Sequence, residues 1–150
     1  MSARERASGI QAGSQRRGLE RARLAAAMGK WQTAVLLLRE RLHDAAGDAE
    51  FLGLYGWCLA RAGGDLAAAR DACRQAVDMQ PYVAHQHARL GDVYRAAGLR
   101  RPARDCFHAA LSLDPSQALA HDGLAALAAP PRWRTWLQRA LRPRHESLPA

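Results

Sequence analysis

The sequence lacks the features that define several classes of protein. No run of apolar residues approaches the roughly 20 that a membrane-spanning helix needs. The N-terminus has no apolar stretch followed by a small-residue cleavage site, so no secretory signal is visible. Only three cysteines are present, Cys58, Cys73 and Cys106, and no two of them form a Cys-x-x-Cys motif. We therefore expect a cytoplasmic protein without a disulfide framework or a structural zinc site.

Motifs of catalysis are also lacking. The chain contains no His-Glu-x-x-His and no Gly-x-Ser-x-Gly, and the single Gly-Lys pair, at Gly29, lies outside a phosphate-binding loop. His85 and His87 are two residues apart, a spacing that does not bring two side chains to one metal ion on a helix. The sequence therefore predicts a protein that is not an enzyme and that has no metal, cofactor or small-molecule substrate.

The net charge of +8 lies at the two ends of the chain. Residues 1–30 carry seven basic and two acidic side chains, and residues 130–150 carry five and one. The intervening residues 31–129 carry ten basic and eleven acidic side chains. A nearly neutral body with basic ends differs from a uniformly basic nucleic-acid-binding domain, so nucleic acid is not favoured as a partner.

What the sequence does contain is an internal repeat. Four pairs of similar residues lie 34 positions apart, namely Ala69 and Ala103, Cys73 and Phe107, Ala76 and Ala110, and Pro81 and Pro115. Upstream, Gly56 and Gly91 lie 35 positions apart, because Gly63-Gly64 replaces the single Gly98. A weaker first copy carries Ala22, Ala25, Gly29, Ala34 and Leu38 in the same roles.

These residues resemble the tetratricopeptide repeat, whose pattern runs Leu-Gly-x-x-Tyr, Gly, Ala, an aromatic residue, Ala and Pro. The third copy matches this pattern at eight positions: Leu90, Gly91, Tyr94, Gly98, Ala103, Phe107, Ala110 and Pro115. The resemblance implies an all-α fold, a right-handed α-solenoid of three helix-turn-helix repeats with a capping helix. Abundant alanine and few β-branched residues agree with helix.

The pattern divides the chain into three parts. Residues 1–14 have the composition of a flexible basic arm, residues 15–128 form the repeat domain, and residues 129–150 form a basic tail that begins at a Pro-Pro pair. Within the domain we expect repeats over about 15–48, 49–83 and 84–117, and a cap over 117–128. Predicted helices cover about 16–28, 31–43, 49–62, 65–79, 82–97, 101–113 and 117–128.

The resemblance also implies a function. Arrays of this kind bind a peptide or a protein along the concave groove that their first helices form, so we expect an adaptor or scaffold. The residues predicted to contact the partner are Arg16, Arg23, Glu50, Trp57, His85, Asp92 and Arg95. One subtype of the family holds the terminal carboxylate of chaperone tails with Lys and Asn side chains. The corresponding positions here are Leu19, Arg23, Leu54, His85 and Arg89; only the arginines fit that chemistry, so the sequence does not favour chaperone tails.

The tail is a second candidate site. Its apolar residues recur at helical spacing while its arginines occupy other faces, and the residues that define it are Arg132, Trp133, Arg134, Trp136, Arg139 and Arg142. Three interpretations stay open. The segment docks on the capping helix, lies on an anionic membrane surface such as the inner membrane, or binds a protein or nucleic acid in trans.

Overall fold

A computed structural model describes residues 3–43 and 47–130, which form seven α-helices and no strand. The helices are α1 (Ala3–Ala27), α2 (Trp31–Arg39), α3 (Ala49–Arg61), α4 (Leu66–Met79), α5 (Ala84–Ala96), α6 (Arg100–Leu113) and α7 (Ala118–Ala128). The fold is therefore the all-α helical repeat expected from the sequence.

Consecutive helices pack in pairs, α1 with α2, α3 with α4, and α5 with α6. The first helices of the pairs follow one another, since α3 contacts α5 and α5 contacts α7, while α1 reaches the second pair mainly through α2. The single helix α7 packs against both members of the third pair. This stacking brings α1, α3, α5 and α7 to the same side, and we call that side the groove face.

Glycine allows the closest approach within the second pair. A Cβ atom on Gly56 of α3 would lie 2.5 Å from the carbonyl oxygen of Ala69 and 2.7 Å from Sγ of Cys73, both on α4. In the third pair Gly91 allows the same approach to Phe107, whose ring is fully buried and also contacts Gly123 of α7. The repeated glycines therefore set the distance between helices, as the sequence pattern predicts.

Glycine also ends the first helix of each pair. Gly29, Gly63 and Gly98 have φ angles of 72°, 77° and 75°, the left-handed conformation that favours glycine at a helix C-terminus. Two aspartates begin the helices of the second pair: Asp48 accepts hydrogen bonds from the first-turn amides of α3, and Asp65 does the same for α4.

Two helix boundaries differ from the sequence-based prediction. The helix α1 begins at Ala3, so the backbone of 3–14 is helical where a flexible arm was expected. That segment has no proline, and seven of its twelve residues are Ala, Arg, Glu or Gln, which favour helix even when little apolar surface is available to bury. The helix α2 ends at Arg39 rather than near 43, and the amides of Arg41 and Leu42 bond to carbonyls three residues back, which tightens the last turn.

Equivalent positions on the first helices differ in their exposure. Leu24 of α1 occupies the position equivalent to Cys58 of α3 and Val93 of α5, at spacings of 34 and 35 residues. Cys58 and Val93 are fully buried against the preceding pair, whereas Leu24 is 64% exposed in the part of the chain that the structure describes. Among the described residues, no helix is both long and apolar enough to cross a membrane.

Candidate functional site

Two clusters of charged side chains lie on the groove face. The first, which we call the Glu50 cluster, consists of Arg23 on α1, Glu50 on α3, and His85 and Arg89 on α5. The second, the Asp92 cluster, consists of Trp57 and Arg61 on α3, and Asp92 and Arg95 on α5. Six of the seven residues predicted to contact a partner belong to one of these clusters. The seventh, Arg16, is exposed on α1.

In the Glu50 cluster three basic side chains surround one carboxylate. Arg89 donates from both terminal nitrogens, at 2.9 Å to Oε1 and 3.1 Å to Oε2. Arg23 lies 3.0 Å from Oε1, and His85 Nε2 lies 2.6 Å from Oε2, where the carboxylate oxygen accepts. The side chains of Glu50 and Arg89 are 19% and 11% exposed, so most of this network is shielded from water. Such charge-assisted bonds from a planar guanidinium are strong and directional.

The ionisation of Glu50 reflects these partners. Burial alone would raise its pKa, but the hydrogen bonds from His85 and Arg89 and the charge of Arg89 outweigh burial and hold the pKa well below its ordinary value. Burial likewise opposes the charge of Arg23, yet Glu50 and Glu20 raise the pKa of its guanidinium. Glu50 and Arg23 are therefore both charged at neutral pH.

The buried side chain of Gln86 supports the Glu50 cluster from behind. Its amide nitrogen donates to the carbonyl of Ala49 at 3.2 Å and to the side chain of Gln80 at 3.3 Å. It is fully buried at a point where a Cβ on Gly53 would overlap its amide oxygen. Gly53 thus makes room for Gln86 beneath the two clusters.

The Asp92 cluster is built around a carboxylate that is almost completely buried. Its side chain is 3% exposed. Arg95 donates two hydrogen bonds to Oδ1, at 2.9 and 2.6 Å, while the indole nitrogen of Trp57 donates to Oδ2 at 2.8 Å. Arg61 lies 3.7 Å from Oδ2. Because its oxygens are engaged within the chain, Asp92 acts here as the counter-ion of the cluster, a position that the sequence had assigned to partner contact.

Aromatic rings join the two clusters. Trp57 packs edge-on against Trp31 of α2 with ring centroids 5.1 Å apart. The guanidinium of Arg61 lies over the Trp31 ring at 4.8 Å, and that of Arg89 lies 6.0 Å from the Trp57 ring centroid. Trp57 is thus half-buried and packed on several sides, whereas the sequence suggested an anchor displayed in the groove.

Sequence reasoning placed six of these residues on one face but did not identify their partners. Arg61 and Trp31 were not predicted as site residues. Arg89 was named only as a position that corresponds to the chaperone-tail subtype of the family. The signal that would have found the pairs is the repeat itself: Glu50 and His85 are 35 residues apart, and so are Trp57 and Asp92. Residues at equivalent positions of adjacent repeats therefore contact each other across α3 and α5.

The histidines considered for metal binding have other partners. The ring of His87 bonds to the carbonyl of Pro81 at 2.7 Å, and that of His121 bonds to Pro115 at 2.8 Å, the same contact one repeat later. These bonds hold the turn that precedes a first helix. Within 3–43 and 47–130, no three His, Cys, Asp or Glu side chains gather as metal ligands. The predicted tail residues 132, 133, 134, 136, 139 and 142 lie outside the described residues.

The fold and the groove face define a helical repeat protein, and comparison with solved structures identifies which kind. The second TPR domain of human RPAP3, solved in complex with the HSP70 peptide SGPTIEEVD, is similar with a TM-score of 0.61 and 18% identity over 75% of this chain and 93% of that one. The Sgt2 TPR domain from Aspergillus fumigatus gives a TM-score of 0.65 and 14% identity over 91% and 89%. The chain therefore has the tetratricopeptide-repeat fold.

A mutant O-GlcNAc transferase from Thermobaculum terrenum is also similar, with a TM-score of 0.68 and 28% identity over 93% of this chain. The match spans only 27% of that enzyme, so it describes a part of it. No family model matches the sequence, and no curated protein matches it either.

Proposed function

We propose that the chain is a non-catalytic, cytoplasmic adaptor that binds a peptide or protein partner along its groove face. The observation that carries this proposal is the array of half-exposed polar side chains that the first helices α1 and α5 present together. Arg23, His85 and Arg95 are 40%, 44% and 31% exposed, yet each is held in place by a buried or half-buried carboxylate. Side chains held in this way bind with less loss of conformational entropy than free surface residues.

Neighbouring structures support the same function in general terms. The RPAP3 domain was solved with an HSP70 peptide, and the first TPR of Spaghetti was solved bound to an HSP90 peptide. Those peptides are ligands of the RPAP3 and Spaghetti domains. For this chain, the two complexes support the use of this fold as a peptide-binding surface. The identity of its partner depends on the side chains of the groove face of this chain.

Affinity capture with the full chain as bait tests the proposal. We expect His85→Ala and Arg95→Ala each to reduce recovery of a captured protein by about tenfold, the loss typical of a contributing interface residue. Arg104→Ala is the matched control, because Arg104 is exposed on α6, a second helix. Trp57→Ala is a poorer probe since Trp57 also packs in the core. Equal recovery by all variants would contradict binding on the groove face.

The basic ends favour a second candidate function, peripheral association with an anionic membrane surface. Residues 130–150 carry five basic side chains, one acidic one and two tryptophans, a composition typical of interfacial segments. Liposomes with and without anionic lipid, mixed with the full chain or with a chain ending at Ala129, test this directly. Equal binding by both chains would exclude the tail from the function.

A further inference from the structure

The Glu50 cluster has the composition of an anion-binding site. Three basic side chains from two helices, Arg23, His85 and Arg89, converge on a single point of the groove face, and that point is occupied by the carboxylate of Glu50 from a third helix. Both oxygens of the Glu50 carboxylate accept hydrogen bonds. Arg89 donates to both of them, the bidentate geometry in which arginine binds free carboxylates. Donors of this type also bind carboxylates that come from outside the chain.

Two of the three basic side chains have partners other than Glu50. Arg89 contacts the ring of Trp57 through its guanidinium, and the amide oxygen of Gln86 lies 3.5 Å from its Nη1. Arg23 has a second carboxylate partner, Glu20, at 2.7 Å. Removal of Glu50 would therefore leave Arg23 and Arg89 with these partners, and Arg89 would be buried without a carboxylate.

We propose that Arg23, His85 and Arg89 form a carboxylate-binding site that the chain's own Glu50 fills, and that Glu50 thereby determines which partners the groove face accepts. An acidic group of a partner segment would find no free hydrogen-bond donor at this point, and the negative charge of Glu50 would repel it. The groove face then selects a segment that is neutral or basic at this position. Only this last statement, on partner choice, rests on the proposed function.

Chemical rescue tests the site without any partner. We expect Glu50→Ala to lower the melting temperature of the full chain by roughly 5 °C, as the loss of a half-buried ion pair would in a domain of this size. Sodium acetate should restore about half of that loss relative to sodium chloride at the same ionic strength. Acetamide, which has the same shape and no charge, should restore none.

Two matched variants control for other effects. Glu50→Gln keeps a neutral amide in the site that acetate must displace, so acetate should stabilise it less than Glu50→Ala. Glu20→Ala removes an exposed carboxylate from the same arginine and should show no acetate effect either. Acetate stabilisation that is equal in Glu50→Ala, Glu50→Gln and the wild type would overturn the proposal.

A binding measurement covers the case in which Glu50→Ala fails to fold. The probe is a short peptide of Asp and Glu residues with a free C-terminal carboxylate, labelled for fluorescence anisotropy. We expect Glu50→Gln to bind it at least tenfold more tightly than the wild type, and Arg89→Ala in the same background to abolish the gain. Equal affinity of wild type and Glu50→Gln would overturn the proposal, and it would leave the capture experiment on His85 and Arg95 unaffected.

Discussion

The indole nitrogen of Trp57 donates a hydrogen bond of 2.8 Å to Oδ2 of Asp92, and this bond joins α3 to α5 across 35 residues of sequence. The acceptor is an almost fully buried carboxylate, and the donor is a half-buried ring that packs against two core clusters. A bond between a neutral donor and a buried charge contributes more than one between two neutral groups. The pair therefore stabilises the contact between the second and third repeats.

We predict that this pair is energetically coupled. In a double-mutant cycle with Trp57→Phe and Asp92→Asn, the interaction free energy should be about 1–2 kcal/mol, measured by urea unfolding of the full chain. Phe retains the ring that packs on Trp31, so the cycle isolates the indole donor from the aromatic contact. The exposed Asp122 on α7 supplies a control cycle with Trp57→Phe, and its coupling should be near zero. An additive result for Asp92 would mean that the bond contributes nothing measurable.

The ionisation of Glu50 predicts a pH-dependent stability. Its pKa in the folded chain lies below the ordinary value of 4.5, so the unfolded chain binds the proton more readily. The stabilisation is therefore complete above about pH 4.5 and is lost as the pH falls below that value. Between pH 6 and pH 3 the free energy of unfolding of the wild type should fall by roughly 1–2 kcal/mol more than that of Glu50→Gln. Parallel pH profiles for the two chains would argue against the prediction.

Gly56 and Gly13 predict opposite effects of the same substitution. Gly56→Ala places a methyl group against the backbone carbonyl of Ala69, which cannot move without shifting α4, so we expect a loss of about 1–3 kcal/mol. Gly13→Ala, in α1, meets no atom closer than 4.0 Å and should be neutral or stabilising by up to about 1 kcal/mol, since alanine favours helix. Thermal or urea unfolding measures both. A neutral Gly56→Ala would show that the helices of the second pair separate easily.

The three thiols are expected to be unreactive in the folded chain. Burial raises the pKa of Cys58 to about 11 and that of Cys73 to about 12, and both side chains are fully buried. Burial also raises the pKa of Cys106 to about 11, although this residue is only half-buried. With a disulfide reagent at pH 8 we expect Cys106 to react slowly and the other two only after denaturant is added. Rapid release of three equivalents of the reagent's leaving thiol by the native chain would contradict this packing.

The repeat period predicted most of the fold. Small residues recurring at 34 and 35 positions, with glycines at the turns, predicted the helix pairs and the place of α7, because these features act through local conformation and close helix packing. The extent of α1 and the end of α2 were missed, since the sequence there is compatible with both helix and coil and no strong stop signal is present. The interaction made by the tail and the choice of partner remain predictions.

What the sequence by itself determined was which residues occupy equivalent positions, and therefore which side chains reach the groove face. Only the tertiary structure decided what those side chains do there. Leu24 and Val93 are equivalent, yet one is exposed and the other buried, because among the described residues Val93 packs against residues of the preceding pair and Leu24 does not. Glu50 and Asp92 were both predicted to face a partner. In the structure both neutralise arginines of the chain itself, because stacking places Glu50 opposite Arg89 and Asp92 opposite Arg61 of a neighbouring repeat.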